Sequence, residues 1–384
     1  MNIPLLRLNF TESEIDEFQA GIKDIFKNGH LTMGDHTKNF ESSFAAWNKS
    51  KYALATNSGT SSLEIPLRAI GVEGKIVLCP SNTYMATPIA AIHAGAKVQF
   101  IDSDVNNMQI SYEHLQQILT GAKNSSSIGA LIVVHIGGII TNRFSEIKKL
   151  CDSYGIPIIE DAAHAHGATI DGIRAGNLAY AGSFSFYPTK ILVTGEGGMV
   201  TTSDAGCIER GIILREHGKQ DHKFNIHTEF GYNWRISEFH SLLGVMQVRK
   251  ADQIVSERRR LAKLYDSLLE NVEGIKKIRL PENIKASYYK YICFLDDKID
   301  RTKIKNLLST QYKVSLTGEV YSAPCHLQPV FKTNSEKMIL DNYSSFEATK
   351  YVCNHHICLP LYPGLTNEEV HYVVDSLQNA LAKI

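Results

Sequence analysis

The chain has 384 residues, 40 basic and 40 acidic side chains, a formal net charge of zero at pH 7, and 43% hydrophobic residues. Gripping a phosphate backbone needs a surplus of Lys and Arg, so the balanced charge argues against nucleic acid as the main partner. The length allows one large α/β domain with a smaller companion.

Residues 1–7 carry no basic stretch leading into an apolar run, so no secretory signal is read there and export is not expected. The longest apolar stretch, 128–140, is shorter than the ~20 residues a membrane span requires and reads as a buried strand. Seven cysteines, an odd number in mostly apolar contexts, suggest reduced thiols and a cytoplasmic protein.

Between residues 50 and 205, short β-branched or apolar runs at 76–78, 98–101, 130–134, 156–159 and 199–202 alternate with segments of helical spacing such as 61–70 and 145–153. Strands separated by helices are βαβ units, and runs apolar on both faces belong to a mostly parallel sheet covered on both sides. The fold class is therefore α/β. Residues 236–272 keep helical periodicity with many charges and no Gly or Pro after Gly244, which predicts a long helix leaving the first domain. Beyond Pro281 strands and helices mix, ending in 366–384, where Thr366 and Glu369 have the spacing of a capping box. The expected division is a large domain, 1–250, and a smaller C-terminal α+β domain, 251–384, with the N-terminal segment free to pack on the second.

Three motifs in the first domain carry chemistry. Asn57-Ser58-Gly59-Thr60-Ser61-Ser62 lies between an apolar run and a helix start. A glycine turn with hydroxyls at a helix N-terminus offers the donors a phosphate dianion needs, although an isolated Ser-Gly-Thr more often only caps the helix. Glu160-Asp161-Ala162-Ala163-His164 follows a buried strand, so Asp161 either faces a ligand at the sheet edge or caps the next helix. Phe184-Ser185-Phe186-Tyr187-Pro188-Thr189-Lys190, followed by Gly195, Gly197 and Gly198, places a lysine among aromatics and glycines. Desolvation there disfavours the ammonium and leaves an amine able to form a Schiff base, against the commoner fate of a surface lysine in a turn. A phosphate cup, a strand-end carboxylate and a lysine amine together match what pyridoxal 5'-phosphate requires.

On these residues the chain resembles the DegT-type (DegT/StrS) sugar aminotransferases, which are fold-type I pyridoxal-phosphate enzymes. The likeness extends from Asn28-Gly29-His30-Leu31-Thr32-Met33-Gly34, through the three motifs and Gly231-Tyr232-Asn233-Trp234-Arg235, to Leu359-Pro360-Leu361-Tyr362-Pro363. The resemblance implies Lys190 as the catalytic Schiff-base lysine and Asp161 as the partner of the pyridinium nitrogen. It implies Gly59, Thr60, Ser61 and Ser185 around the phosphate, Tyr84 stacked on the ring, and His164 beside the phenolic oxygen. Asn233 would reach the phosphate of a neighbouring subunit, which implies a homodimer with a shared active site. Tyr321 and His326 would face the substrate. The implied reaction moves an amino group from an amino acid, usually glutamate, to a keto acceptor, most commonly a nucleotide-linked keto-deoxy sugar for surface polysaccharide. A small phosphorylated ketone is the alternative acceptor. A cofactor-binding regulator without turnover is the alternative class, but it should lose the lysine or append a DNA-binding segment. A related dehydrating branch carries histidine where Lys190 stands.

Two stretches depart from the family's pattern, and both bear on the acceptor side. Residues 136–142 lack the Pro and Asp the family often has after His135, and 317–329 keep a Tyr, His and Gln-Pro skeleton while changing its neighbours. Cys353, His355, His356 and Cys358, with Cys325 and His326, do not have the spacing of a zinc knuckle, so no metal is expected. Arg258-Arg259-Arg260 reads as part of a solvated helix face.

Overall fold

Eight strands form the central sheet of the computed structural model, which describes residues 1–121, 125–221, 223–316, 318–339 and 345–384. Their order across the sheet is Tyr52–Thr56, Gly198–Thr202, Ala181–Ser185, Ile158–Asp161, Ile128–Val134, Ile76–Pro80, Lys97–Ile101 and Met338–Ile339. Every neighbouring pair is parallel except the two made by Gly198–Thr202, which runs against the rest. The expected strands are all present, shifted by one or two residues at their ends. Ile128–Val134 is buried along its whole length, the mark of a strand with both faces covered. Helices Gly59–Ile70 and Phe144–Ser153 fall where helical spacing predicts them.

The apolar stretch 128–140 is not one strand. It stops at Val134, and a tight turn follows at Ile136–Gly138, where Gly137 and Gly138 take φ of 68° and 84°. A side chain on Gly138 would sit 2.7 Å from the His164 carbonyl oxygen, so only glycine allows this approach.

The long helix expected over 236–272 is two, Glu238–Arg249 and Ala251–Leu268, parted at Lys250. No Gly or Pro marks the break. The first helix packs mainly on Asp35–Asn48, the second on Asn367–Leu381, and the chain turns between these partners. The second helix feeds two cores: Ala251, Ile254 and Val255 join the sheet's core, whereas Leu261, Ala262 and Tyr265 join a separate cluster with Cys293, Ile357 and Val373. Ile3 belongs to that second cluster, and its backbone N–H donates to the Lys313 carbonyl. The capping box at Thr366 and Glu369 is formed.

Arg258 corrects the expectation of a solvated basic run. It is buried, and its guanidinium donates to the carbonyls of Tyr288 and Leu361 at 3.0 Å each. Arg259 donates to the carbonyls of Ala286 and Gly167, and only Arg260 is an exposed partner of Glu257. A planar fork of donors suits such carbonyl clusters, so two of the three arginines tie the helix to the segment after Pro281.

All seven cysteines are buried and none is in a disulfide. Among the described residues no group of three or more His, Cys, Asp or Glu is placed to hold a metal, and no helix is long and apolar enough to cross a membrane.

Candidate active site

Parallel strands that end at one sheet edge bring their following loops together, and this edge holds a cavity of about 310 Å³. Its walls come from the loop after Tyr52–Thr56 (Ser58, Gly59, Thr60), from Thr83 and Tyr84, and from the end of Ile158–Asp161 (Asp161, Ala163, His164). Ser185, Thr189, Lys190 and Glu196 line it as well, with Tyr289 and Tyr321 from beyond residue 280.

Ser58 caps helix Gly59–Ile70, accepting from the Ser61 N–H. Gly59 and Thr60 hold the first N–H groups of that helix, which have no intrahelical acceptor. Capping and cavity lining therefore coexist in one turn. A side chain on Gly59 would meet Ser185 Cβ at 2.7 Å, and one on Gly198 would meet the Ser58 carbonyl at 2.0 Å, so the cup is built on bare backbone. Ser61 lies behind it, buried, its hydroxyl 2.8 Å from Asn57 Oδ1, and does not line the cavity.

Asp161 ends its strand and is 8% exposed. One carboxylate oxygen accepts from the Thr87 hydroxyl at 2.7 Å and the other from the Ala163 N–H at 3.2 Å. These bonds hold the acid facing the cavity. Lys190 sits in the loop between Ala181–Ser185 and Gly198–Thr202, with surface open to the cavity and protein around it. That desolvation pulls its pKa down to about 8; Asp161 opposes the shift and Lys290 adds to it.

His164 is 3% exposed and stacks on Tyr289, ring centroids 4.0 Å apart. Its Nε2 lies 3.2 Å from the Tyr321 hydroxyl, and its Nδ1 has no partner. Burial, with the charges of Lys190 and Lys290 nearby, lowers its pKa well below the ordinary value, so the ring is neutral. His166 behind it is likewise held down, at about 3. Tyr84 is 63% exposed at the cavity mouth, tilted against Tyr321.

Two other sequence candidates stand apart from the cavity in this chain. Asn233 is exposed, and its carbonyl accepts from Asn57 Nδ2 at 3.3 Å. His326 is bound through Nδ1 to the Ser81 hydroxyl at 2.6 Å and stacks on Phe346, and it does not line the cavity. Thr317, at the start of the acceptor-side segment, lies outside the described residues.

The family described as DegT/DnrJ/EryC1/StrS aminotransferases matches residues 12–378. The chain belongs to that family. It is 30% identical over 378 residues to the UDP-4-amino-4,6-dideoxy-N-acetyl-beta-L-altrosamine transaminase of Campylobacter jejuni, covering 98% of this chain and 96% of that protein. It is 29% identical over 347 residues to the GDP-perosamine synthase of Escherichia coli O157:H7, covering 90% of each. The crystal structure of DesV from S. venezuelae matches with a TM-score of 0.89 and 26% identity over 98% of both chains. This DegT-family protein is thus a pyridoxal-phosphate-dependent aminotransferase of fold-type I.

The residues at the cavity fit that cofactor. A bare-backbone cup at a helix start suits its phosphate, a positioned carboxylate its ring nitrogen, and an amine near neutral pKa its carbonyl carbon. The orphaned His164 Nδ1 is a buried polar atom that a ligand oxygen can satisfy.

Sequence reasoning missed three contributors. Thr87 carries no signal of its own in the sequence, because its bond to Asp161 depends on the helix Ala86–His93 packing beside the strand end. Glu196 and Tyr289 line the cavity, the first from within the glycine motif. Tyr289 belongs to no motif. It arrives because Ser287 and Lys290 donate their N–H groups to the carbonyls of Gly138 and Gly137, docking 287–290 on the tight turn at Ile136–Gly138.

Proposed function

We propose that this aminotransferase moves an amino group from an amino acid donor, L-glutamate, to the keto carbon of a nucleotide-linked deoxy sugar. The convergence of Lys190, Asp161, His164 and the Ser58-Gly59-Thr60 turn on one cavity carries the reading. Bound there, pyridoxal phosphate supplies an electron sink for the charge left when a carbon–hydrogen bond ionises. Lys190 Nζ would hold the cofactor through its carbonyl carbon, and as a free amine it would take the proton from the donor's α-carbon and return one on the acceptor's side. Asp161 pairs with the ring nitrogen and keeps it protonated. His164 offers Nδ1 to the phenolic oxygen, while Tyr321 fixes the imidazole from its other edge.

Gly59 and Thr60 donate to the phosphate with Ser185, and Ser61 supports that turn from behind. Tyr84 covers the open face of the ring. Asn233, exposed in one chain, reaches the cavity of a second copy, making a homodimer the active unit. Tyr321 faces the acceptor, with His326 holding the same segment through Ser81. Buried reduced thiols suit work in the cytoplasm. Both curated relatives above are named for nucleotide-linked sugars, which favours that acceptor class over a small phosphorylated ketone.

The test is a half reaction. Protein converted by L-glutamate to its amino form is mixed with UDP- or GDP-linked 4-keto-6-deoxy sugars, or with small phosphorylated ketones, and return of the visible cofactor band is followed. The nucleotide-linked sugars are expected to restore it. Restoration by the phosphorylated ketones alone would assign the acceptor to the other class.

A further inference from the structure

The ring of Tyr289 carries more than His164. Lys190 Nζ lies 4.9 Å from its centroid and Lys290 Nζ lies 5.0 Å from the same point. Two ammonium groups on one aromatic ring are an unusual pairing, since each makes the other's charge less favourable. Lys290 is half-buried, and among the described residues its ammonium makes no hydrogen bond or ion pair. The carboxylate that acts on it is Glu319, itself paired with Lys305. The Lys290 backbone N–H donates to the Gly137 carbonyl and that of Ser287 to the Gly138 carbonyl, which fixes the stem from which the Lys290 ammonium reaches over the Tyr289 ring. Lys290 does not line the cavity, so contact with a substrate does not explain it.

We propose that Lys290 is a positioning residue for Lys190: from the Tyr289 ring they share, its ammonium disfavours a second positive charge and raises the share of the Lys190 amine in its neutral, nucleophilic form. This rests on the reading of Lys190 as the cofactor's lysine. The groups acting on Lys190 are Asp161, which favours its charge, and Lys290, which opposes it, with the neutral rings of His164 and His166 alongside. Burial lowers the pKa of Lys290 most; Cys358 and Glu319 oppose that shift and Arg258 adds to it. Lys190 is the more depressed of the two, so the pair loses its first proton there. The two nitrogens, each about 5 Å from one ring centre, are at most about 10 Å apart, where repulsion through protein is worth roughly half to one pH unit.

The test is pulse labelling of the full-length, cofactor-free protein with acetic anhydride between pH 6 and 10, scoring acetylation of Lys190 by peptide mass spectrometry. In the wild type the labelling midpoint should fall at about 8. Lys290→Met is expected to raise it by about half to one unit, and Lys290→Arg, which keeps the charge, to leave it in place. An unchanged midpoint in Lys290→Met overturns the proposal, as does an equal rise in Lys290→Arg. Lys290→Gln serves the same comparison if the Met variant does not fold, with circular dichroism as the check. A borohydride-fixed cofactor adduct found on a residue other than Lys190 would defeat the reading of Lys190 instead, whatever the labelling midpoints show.

Discussion

Lys190→Ala should abolish amino transfer, lowering the single-turnover rate with L-glutamate by about 10⁴-fold or more, because one nitrogen serves as both covalent anchor and proton carrier. The fold should survive. The lysine's own backbone N–H still donates to the Tyr187 carbonyl, and removing an amine that protein desolvates takes away a penalty on the folded state. Stopped-flow absorbance gives the first quantity, and circular dichroism with thermal unfolding gives the second. Turnover within tenfold of the wild type would mean that another base does the work.

Asp161→Asn is expected to lower the same rate by about 10²–10³-fold, since a neutral amide cannot hold a proton on the ring nitrogen. Its amide oxygen can still accept from Thr87 or the Ala163 N–H, so the loss should not come from misfolding. The variant also makes a prediction of opposite sign to that for Lys290. Asp161 favours the charged form of Lys190, so its removal should move the labelling midpoint of Lys190 below about 8. A midpoint that rises in Asp161→Asn would contradict the electrostatic picture of the site.

Much of this was readable from the chain alone, and the reasons are local. Strands apolar on both faces, such as Ile128–Val134, announce a covered parallel sheet. Such a sheet gathers the residues just after its strands, so Asp161, Ser185 and the Ser58-Gly59-Thr60 turn could be expected together. The misses have physical causes of another kind. Tyr289 reaches the cavity by docking on Gly137 and Gly138, a contact between segments 150 residues apart that no periodicity encodes. The break at Lys250 is set by the change of packing partner rather than by a helix-breaking residue. Arg258 looks like one of three surface arginines, but carbonyls at Tyr288 and Leu361 take its donors and bury it. Ser61 and His326 share motifs with cavity residues, yet helix geometry turns one inward and the Ser81 bond and Phe346 stack hold the other away.

Two lysines lie on the same Tyr289 ring, so the chemistry of the site turns on which amine carries the cofactor. Reducing the cofactor-loaded protein with borohydride and mapping the modified peptide by mass spectrometry decides it. The adduct is expected on Lys190 alone. An adduct on Lys290, or none on either, would contradict the assignment of the site.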